Sequence, residues 1–234
     1  MTKAIVARLW YGHGVGLCVF DLDHTLIRTP LDLAAMAADM QVHLERERGP
    51  LPARDERWRV GELIAHCRAE APALEAALWA IALDHEARAM DAAVLEPGAR
   101  EAVAGARGLG LGTALWTNNA RALTLPALAR LGLAALLDLV VTRDDMRALK
   151  PDPDGWRVIA GHFGPAGAAA SVARAAVVVG DSWVDGLAAA AVGVPFVAYR
   201  ADHASLARFK VTPAAHLAEL AHLPAWLAAR GPGG

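Results

Sequence analysis

Residues 15–26 read VGLCVFDLDHTL, and this stretch decides the fold. Its first half is a short apolar run with glycine before it and acids after it, which predicts a buried strand of a parallel sheet. Its second half places Asp21, Asp23 and Thr25 directly after that strand. Because an open parallel sheet binds its ligands at the carboxyl ends of the strands, we expect chemistry at this point.

Downstream of Pro97-Gly98, strand-like and helical patterns alternate along the chain. Such alternation is typical of βαβ units and predicts an α/β fold with a parallel sheet and helices on both faces. The predicted strands are 111–116, 137–142, 175–179 and, as the last strand, 194–199. The predicted helices are 99–107, 123–131, 156–163 and 184–191.

Residues 31–93 have a different texture. Three segments show helical spacing of apolar residues, 31–48, 55–70 and 72–90, and no strand pattern occurs among them. This block interrupts the alternation after the first strand. We therefore expect two domains, a core made of 1–30 and 94–234 and a small all-α domain made of 31–93.

Composition excludes several classes of protein. Hydrophobic residues make up 55% and charged residues 21% of the 234 residues, which is too apolar for a disordered chain. The net charge of −2 gives no global basic field, so neither nucleic acid nor an acidic membrane is an expected partner. No apolar run is long enough to span a bilayer. Cys18 and Cys67 form no disulfide framework, and a reducing cytoplasm is the expected location.

Polar residues follow each of the main predicted strands. Thr117, Asn118 and Asn119 follow one strand, Lys150 lies in the loop after the next, and Asp181 and Asp185 follow a third. Carboxylates gathered at one edge repel each other unless a cation lies among them. Asp21, Asp181 and Asp185 are suitable ligands for Mg²⁺, which prefers oxygen donors and often a substrate phosphate. Lys150 is one of only three lysines among 23 basic residues.

These residues resemble four motifs of the haloacid dehalogenase (HAD) superfamily, in the family's order. The resemblance covers 21–185, and it is specific because each motif follows a predicted strand. The motifs are DLDHT at 21–25 (the DxDxT motif), ALWTN at 114–118, KP at 150–151 and GDSWVD at 180–185. His24 stands where glycine is commoner in the family.

The resemblance implies a role for each acid. Asp21 is expected to be the nucleophile, and Asp23 the general acid and then the general base, with its backbone carbonyl on Mg²⁺. Asp181 is expected to bind Mg²⁺, with Asp185 as a ligand or beside one. A Rossmann-like HAD core of this kind carries an α-helical insert called the C1 cap, which corresponds to residues 31–93.

The resemblance also implies how phosphate is held. Thr117 and Lys150 are expected to hold the phosphoryl group, with Lys150 also orienting Asp21, and Asn118 is a further substrate-binding candidate. The helical cap points to the phosphoglycolate phosphatase-like branch. The implied function is Mg²⁺-dependent hydrolysis of a small-molecule phosphate ester through an aspartyl-phosphate.

Two alternatives to this function remain at the level of sequence. A phosphomutase of the β-phosphoglucomutase type shares every core motif and differs only in its product. A non-catalytic binding or regulatory protein on a HAD fold is expected to have lost Asp21, Asp23, Lys150 or Asp181, and all four are present. The sequence leaves the oligomeric state open between monomer and homodimer.

Overall fold

The computed structural model of the chain describes residues 16–230. The chain divides into two compact units. Among the described residues, the core unit contains 16–28 and 94–230, and the helical unit is Thr29–Ala93.

The strands of the core unit are β1 (Leu17–Phe20), β2 (Ile27–Arg28), β3 (Val94–Leu95), β4 (Gly112–Trp116), β5 (Leu139–Val141), β6 (Ala176–Gly180), β7 (Phe196–Tyr199) and β8 (Ala215–Leu217). Six of them form a parallel sheet at the centre of the unit, in the order β5-β4-β1-β6-β7-β8. All four residues of β1 are buried, as the apolar run predicted. The expected α/β fold is therefore confirmed.

Helices connect the strands of the core unit and bury small and apolar side chains against the sheet. Trp116, Trp156, Ile159, Val178 and Phe196 belong to one continuous buried cluster. The helices of this unit are α4 (Ala99–Gly108), α5 (Arg121–Arg130), α6 (Asp154–Phe163), α7 (Ala169–Arg174), α8 (Trp183–Ala191), α9 (His203–Arg208) and α10 (Leu223–Ala228).

The prediction that 194–199 is the last strand is wrong. The sheet continues with β8, which pairs in parallel with β7 through Val197 and Ala215 and through Tyr199 and Leu217. This strand is only three residues long, and its central residue, His216, is exposed. It has no continuous apolar run, so the pattern that reveals a buried strand is missing.

Three helices make up the helical unit, with a short 3₁₀ turn at Pro72–Leu74: α1 (Leu33–Arg48), α2 (Val60–Glu70) and α3 (Glu75–Asp91). They share a buried core that includes Met36, Met40 and Leu63. The helix expected from residue 55 begins at Val60 instead. The Glu62 carboxylate accepts a hydrogen bond of 2.9 Å from the backbone N–H of Arg59, which fixes the start of α2 at this point.

A buried carboxylate lies beside the short pairing of β2 with β3. Glu96 is 3% exposed, and its Oε1 accepts hydrogen bonds from the Tyr199 hydroxyl (2.6 Å) and Arg200 Nη1 (3.1 Å). Its Oε2 lies 2.9 Å from Arg28 Nε. We call these four residues the Glu96 cluster.

Within residues 16–230, no helix is both long and apolar enough to cross a membrane.

Candidate active site

The carboxyl ends of three adjacent strands bring the sequence motifs together. Strand β1 lies between β4 and β6 and is parallel to both. Asp21, Thr117 and Asp181 each follow directly on the last residue of one of these strands. The order of the strands therefore collects at one sheet edge residues that are up to 160 positions apart, as the alternating pattern predicted.

Lys150 lies at the centre of this edge and is 6% exposed. Its Nζ donates hydrogen bonds to Asp21 Oδ1 (2.6 Å), Asp185 Oδ1 (2.6 Å) and the backbone carbonyl of Trp116 (2.8 Å). An ammonium group has three hydrogens, so these three bonds use all of its donors. Lys150 thereby fixes the orientation of the Asp21 and Asp185 carboxylates.

Asn118 positions Lys150 from behind. Its Oδ1 accepts the Lys150 backbone N–H at 2.9 Å, and its Nδ2 donates to the Lys150 carbonyl at 3.0 Å. This two-bond pairing ties the loop of Lys150 to the end of β4. The side chain of Asn118, expected at the substrate, is thus engaged with the backbone of Lys150.

Asp21, Asp181 and Asp185 each offer a carboxylate oxygen within 4.8 Å of the other two. Together with Lys150 we call them the site cluster. Both oxygens of the Asp185 carboxylate have hydrogen-bond donors. Oδ1 binds Lys150, and Oδ2 accepts hydrogen bonds from the backbone N–H and the hydroxyl of Ser182, both at 3.3 Å. Ser182 in turn caps the first turn of α8 by accepting the Val184 N–H.

Gly180 allows Asp185 to approach the sheet. A Cβ at position 180 would lie 2.5 Å from Asp185 Oδ2 and 2.6 Å from the carboxyl carbon. These distances are well inside van der Waals contact. Only glycine therefore permits the carboxylate of Asp185 to lie flat against the end of β6 and reach Lys150.

Two acids of the site cluster, Asp21 and Asp181, resist ionisation. Burial raises the pKa of Asp21 well above its usual range despite the opposing charge of Lys150, and repulsion from Asp185 adds to the rise. Burial, followed by repulsion from Asp185, raises the pKa of Asp181 to about 7. Burial works against the charge of Lys150, but the carboxylates of Asp185 and Asp21 raise its pKa above its ordinary value.

The donor set fits a hard divalent cation. Three carboxylates share the cluster with one ammonium, so two negative charges remain uncompensated when all three acids are ionised. The ligand atoms are all oxygens, which suit Mg²⁺ or Ca²⁺ better than a soft transition metal. Burial is the main cause of the raised pKa values of Asp21 and Asp181, and repulsion among the carboxylates adds to it. A bound cation would favour the ionised form of both acids.

Asp23 and Thr117 border the cluster. The side chain of Asp23 is half-buried, and its Oδ2 accepts a hydrogen bond of 2.6 Å from Asn119 Nδ2. Thr117 is buried, and its hydroxyl oxygen accepts the Asn119 N–H at 3.1 Å. Asn119 is the site residue to which our sequence analysis gave no role. Its only signal was its place in the polar run 117–119 after β4.

A parallel α/β sheet whose strand ends gather Asp21, Asp23, Thr117, Lys150 and Asp181 has the architecture of the HAD hydrolases. A family model for haloacid dehalogenase-like hydrolases matches residues 15–193. The chain therefore belongs to the haloacid dehalogenase-like hydrolases, and the family predicted from the sequence motifs is confirmed.

Individual relatives narrow the comparison. A phosphoglycolate phosphatase of Pseudomonas fluorescens is 32% identical over 200 residues, covering 82% of this chain and 71% of that protein. A plasmid phosphoglycolate phosphatase of Cupriavidus necator is 36% identical over 108 residues, covering 46% of this chain and 44% of that protein. That second match spans less than half of the relative's length.

Among solved structures, a HAD-superfamily hydrolase of subfamily IA from Geobacter sulfurreducens is similar, with a TM-score of 0.59 and 26% identity. The match covers 91% of this chain and all of that chain. The likeness confirms the fold.

Proposed function

We propose that this protein is a Mg²⁺-dependent phosphatase that hydrolyses a small-molecule phosphomonoester similar to phosphoglycolate. The observation that carries the proposal is the Asp21 carboxylate, buried at the end of β1 and held at 2.6 Å by Lys150. A carboxylate fixed in this way is suited to attack phosphorus. The two curated relatives, both phosphoglycolate phosphatases, support the choice of substrate class.

The reaction proceeds in two displacements. An oxygen of Asp21 forms a bond to phosphorus while the bond from phosphorus to the ester oxygen breaks, and the protonated Asp23 gives its proton to the leaving oxygen. Asp23, now a carboxylate, then takes a proton from water as the water oxygen bonds to phosphorus. The bond between phosphorus and Asp21 breaks, so phosphate leaves and both aspartates return to their starting states.

Lys150 and Thr117 contribute differently to phosphate binding. Since the three Nζ hydrogens of Lys150 already bind Asp21, Asp185 and Trp116, the ammonium supplies positive charge and alignment rather than a free donor. The Thr117 hydroxyl oxygen accepts from Asn119, which leaves its hydrogen to donate to a phosphoryl oxygen.

The carboxylates of Asp21, Asp181 and Asp185 would hold Mg²⁺ in this proposal, and the backbone carbonyl of Asp23 would offer a further oxygen. A bound divalent ion neutralises negative charge on the phosphoryl group and on the carboxylates around it. The excess of carboxylates over cations in the site cluster supports this assignment.

We further propose that residues 31–93 act as the cap expected from the family resemblance and exclude water from the substrate. Support comes from the compactness of Thr29–Ala93 as a separate unit with its own core.

Cys18 and Cys67 are free, buried thiols, and we therefore propose that the protein works in a reducing compartment such as the cytoplasm.

The test is turnover of phosphoglycolate and of p-nitrophenyl phosphate with Mg²⁺ and with EDTA. Asp21→Asn is compared with a matched control, Asp84→Asn, since Asp84 is an exposed acid that forms a surface ion pair with Arg88 four residues on. We expect metal-dependent release of phosphate from wild type and Asp84→Asn, and none from Asp21→Asn. Equal turnover by Asp21→Asn would overturn the mechanism, and transfer of phosphate within a sugar phosphate would identify a mutase instead.

A further inference from the structure

We propose that Asn119 is a positioning residue that holds the Asp23 carboxyl group in the orientation needed for proton transfer to the leaving oxygen. The inference rests on the proposed function, because it requires Asp23 to be the general acid. It adds a residue outside the motif positions to which the family resemblance assigned roles.

The contact between the two side chains is short and sheltered. Asn119 Nδ2 lies 2.6 Å from Asp23 Oδ2, and Asn119 itself is 7% exposed. The two residues are 96 positions apart, so tertiary structure and not local sequence brings them together. A bond from a buried amide fixes one oxygen of the carboxyl group and thereby limits its rotation about the Cβ–Cγ bond.

The backbone of Asn119 is anchored on both sides, so the amide is a fixed support. Its N–H donates to the Thr117 hydroxyl at 3.1 Å, and its carbonyl accepts the Arg143 N–H at 3.0 Å. The turn of Arg143 is held by Asp145, whose Oδ2 accepts both the backbone N–H (2.8 Å) and the hydroxyl (2.9 Å) of Thr142.

Arg121, the first residue of α5, also binds the Asp145 carboxylate. The loops after β4 and β5 are thus held together by these bonds. Because Asn119 lies in one of them, its side-chain hydrogen bond holds Asp23 against a fixed support. A general acid must be placed within hydrogen-bond reach of the atom that it protonates, so this support serves the first displacement directly.

A positioning role for the acid leaves a specific signature in the leaving group. An alkoxide such as glycolate leaves poorly without a proton, whereas p-nitrophenolate leaves well without one. We therefore expect Asn119→Ala to lower kcat/KM for phosphoglycolate about 10²-fold, within the range that general acid catalysis contributes. For p-nitrophenyl phosphate, kcat/KM is expected to change little. This ester uses the same folded site, but its leaving group does not need a proton from Asp23.

The experiment measures kcat/KM on both esters for wild type, Asn119→Ala, Asp23→Asn and the double variant. The ratio kcat/KM reports only the steps through the first displacement, which separates the acid role of Asp23 from its later role with water. In the Asp23→Asn background, Asn119→Ala is expected to cause no further loss on phosphoglycolate. Asn119→Leu, a variant of similar size without a donor or a charge, provides a second test should the alanine variant unfold.

The outcomes separate the two proposals. Equal losses on both esters in Asn119→Ala and Asn119→Leu would show a merely structural role and overturn the inference. A selective loss in Asp23→Asn without one in either Asn119 variant would also overturn the inference and leave the proposed function intact. If Asp23→Asn shows no selective loss, the general acid itself is wrongly assigned, and the proposed mechanism fails with it.

Discussion

The site cluster and the Glu96 cluster are both buried in the core unit, but they balance charge in opposite ways. In the site cluster, three carboxylates share one ammonium. In the Glu96 cluster, one carboxylate receives two guanidinium groups and a hydroxyl. Both arginines are 54% exposed, so water relieves the surplus positive charge there.

This difference distinguishes a working site from a structural one. A buried excess of negative charge costs folding free energy unless a bound cation or substrate neutralises it. Buried groups of this kind are frequent at functional sites. A carboxylate with more than enough partners is complete by itself. It holds β3 and β7 near each other through Glu96 and Tyr199 and leaves nothing for a ligand to neutralise.

Removing one cation from each cluster gives the largest expected contrast. Lys150→Met leaves three carboxylates with no ammonium, and we expect activity to fall by about 10³-fold or more, the scale of a lost charge in phosphoryl transfer. Stability should fall by about 3 kcal/mol, since a buried pair is broken from one side. Phosphate release and urea denaturation measure the two effects.

Arg28→Met is the matched change in the Glu96 cluster. Because Arg28 is half-exposed and Glu96 keeps Tyr199 and Arg200, the cost should be less than about 1 kcal/mol, with activity retained. Equal losses in the two variants would contradict the distinction between the clusters.

Crowding the site cluster without removing a charge should also damage it. Gly180→Ala forces the Asp185 carboxylate away from β6 and from Lys150, so we expect a loss of about 2 kcal/mol and a clear fall in activity. Gly161→Ala in α6 is the control, because among the described residues no atom outside its chain neighbours and its own helix backbone lies within 4 Å of the added Cβ. That change should stabilise the protein by up to about 1 kcal/mol. A harmless Gly180→Ala would mean that Asp185 is not confined.

Neutralising the buried carboxylate of Glu96 should lower stability without changing the activity of the folded protein. Glu96→Gln weakens its hydrogen bonds to Tyr199 and Arg200 and its ion pair with Arg28, at a cost of about 1–3 kcal/mol. Turnover at a temperature where the variant remains folded should match wild type. Glu101→Gln, at an exposed position on α4, controls for the substitution itself. Loss of turnover in folded Glu96→Gln would give this cluster a functional role.

The last expected effect is confined to alkaline pH, where the stability of the Glu96 cluster should depend on pH. Burial, and then the hydrogen bond to Glu96, raises the pKa of Tyr199 to about 12. An unfolded tyrosine titrates near pH 10, so its contribution to stability is complete below about pH 10 and is lost as pH rises through 12. Wild type should therefore lose stability relative to Tyr199→Phe between these values. A difference in the free energy of unfolding between wild type and Tyr199→Phe that stays constant over this pH range would contradict the assignment.

The sequence predicted the parts of the molecule that depend on local pattern. Strand β1, the alternation after residue 97 and the three helices of residues 31–93 all follow from apolar periodicity. The meeting of Asp21 with Lys150, 129 positions apart, followed because both lie in loops at the carboxyl edge of one parallel sheet. Motif order supplied the family.

Features set by tertiary pairing escaped the sequence analysis. Arg28 and Arg200 reach Glu96 from distant segments, and Asn119 reaches Asp23 across 96 positions, with no periodicity to announce either contact. The backbone of His24 is also informative only in three dimensions. Its φ of 54° lies in the left-handed region, which explains why glycine is commoner at this place in the motif.

The most direct test of the distinction between the clusters is calorimetric titration of Mg²⁺ into metal-stripped protein. The comparison uses wild type, Asp181→Asn and Glu96→Gln. We expect saturable binding to wild type, affinity weakened about tenfold or more by Asp181→Asn, and unchanged affinity in Glu96→Gln. Binding that is absent from folded wild type, or equally strong in Asp181→Asn, would contradict the claim that the excess of carboxylates at this sheet edge is a metal site.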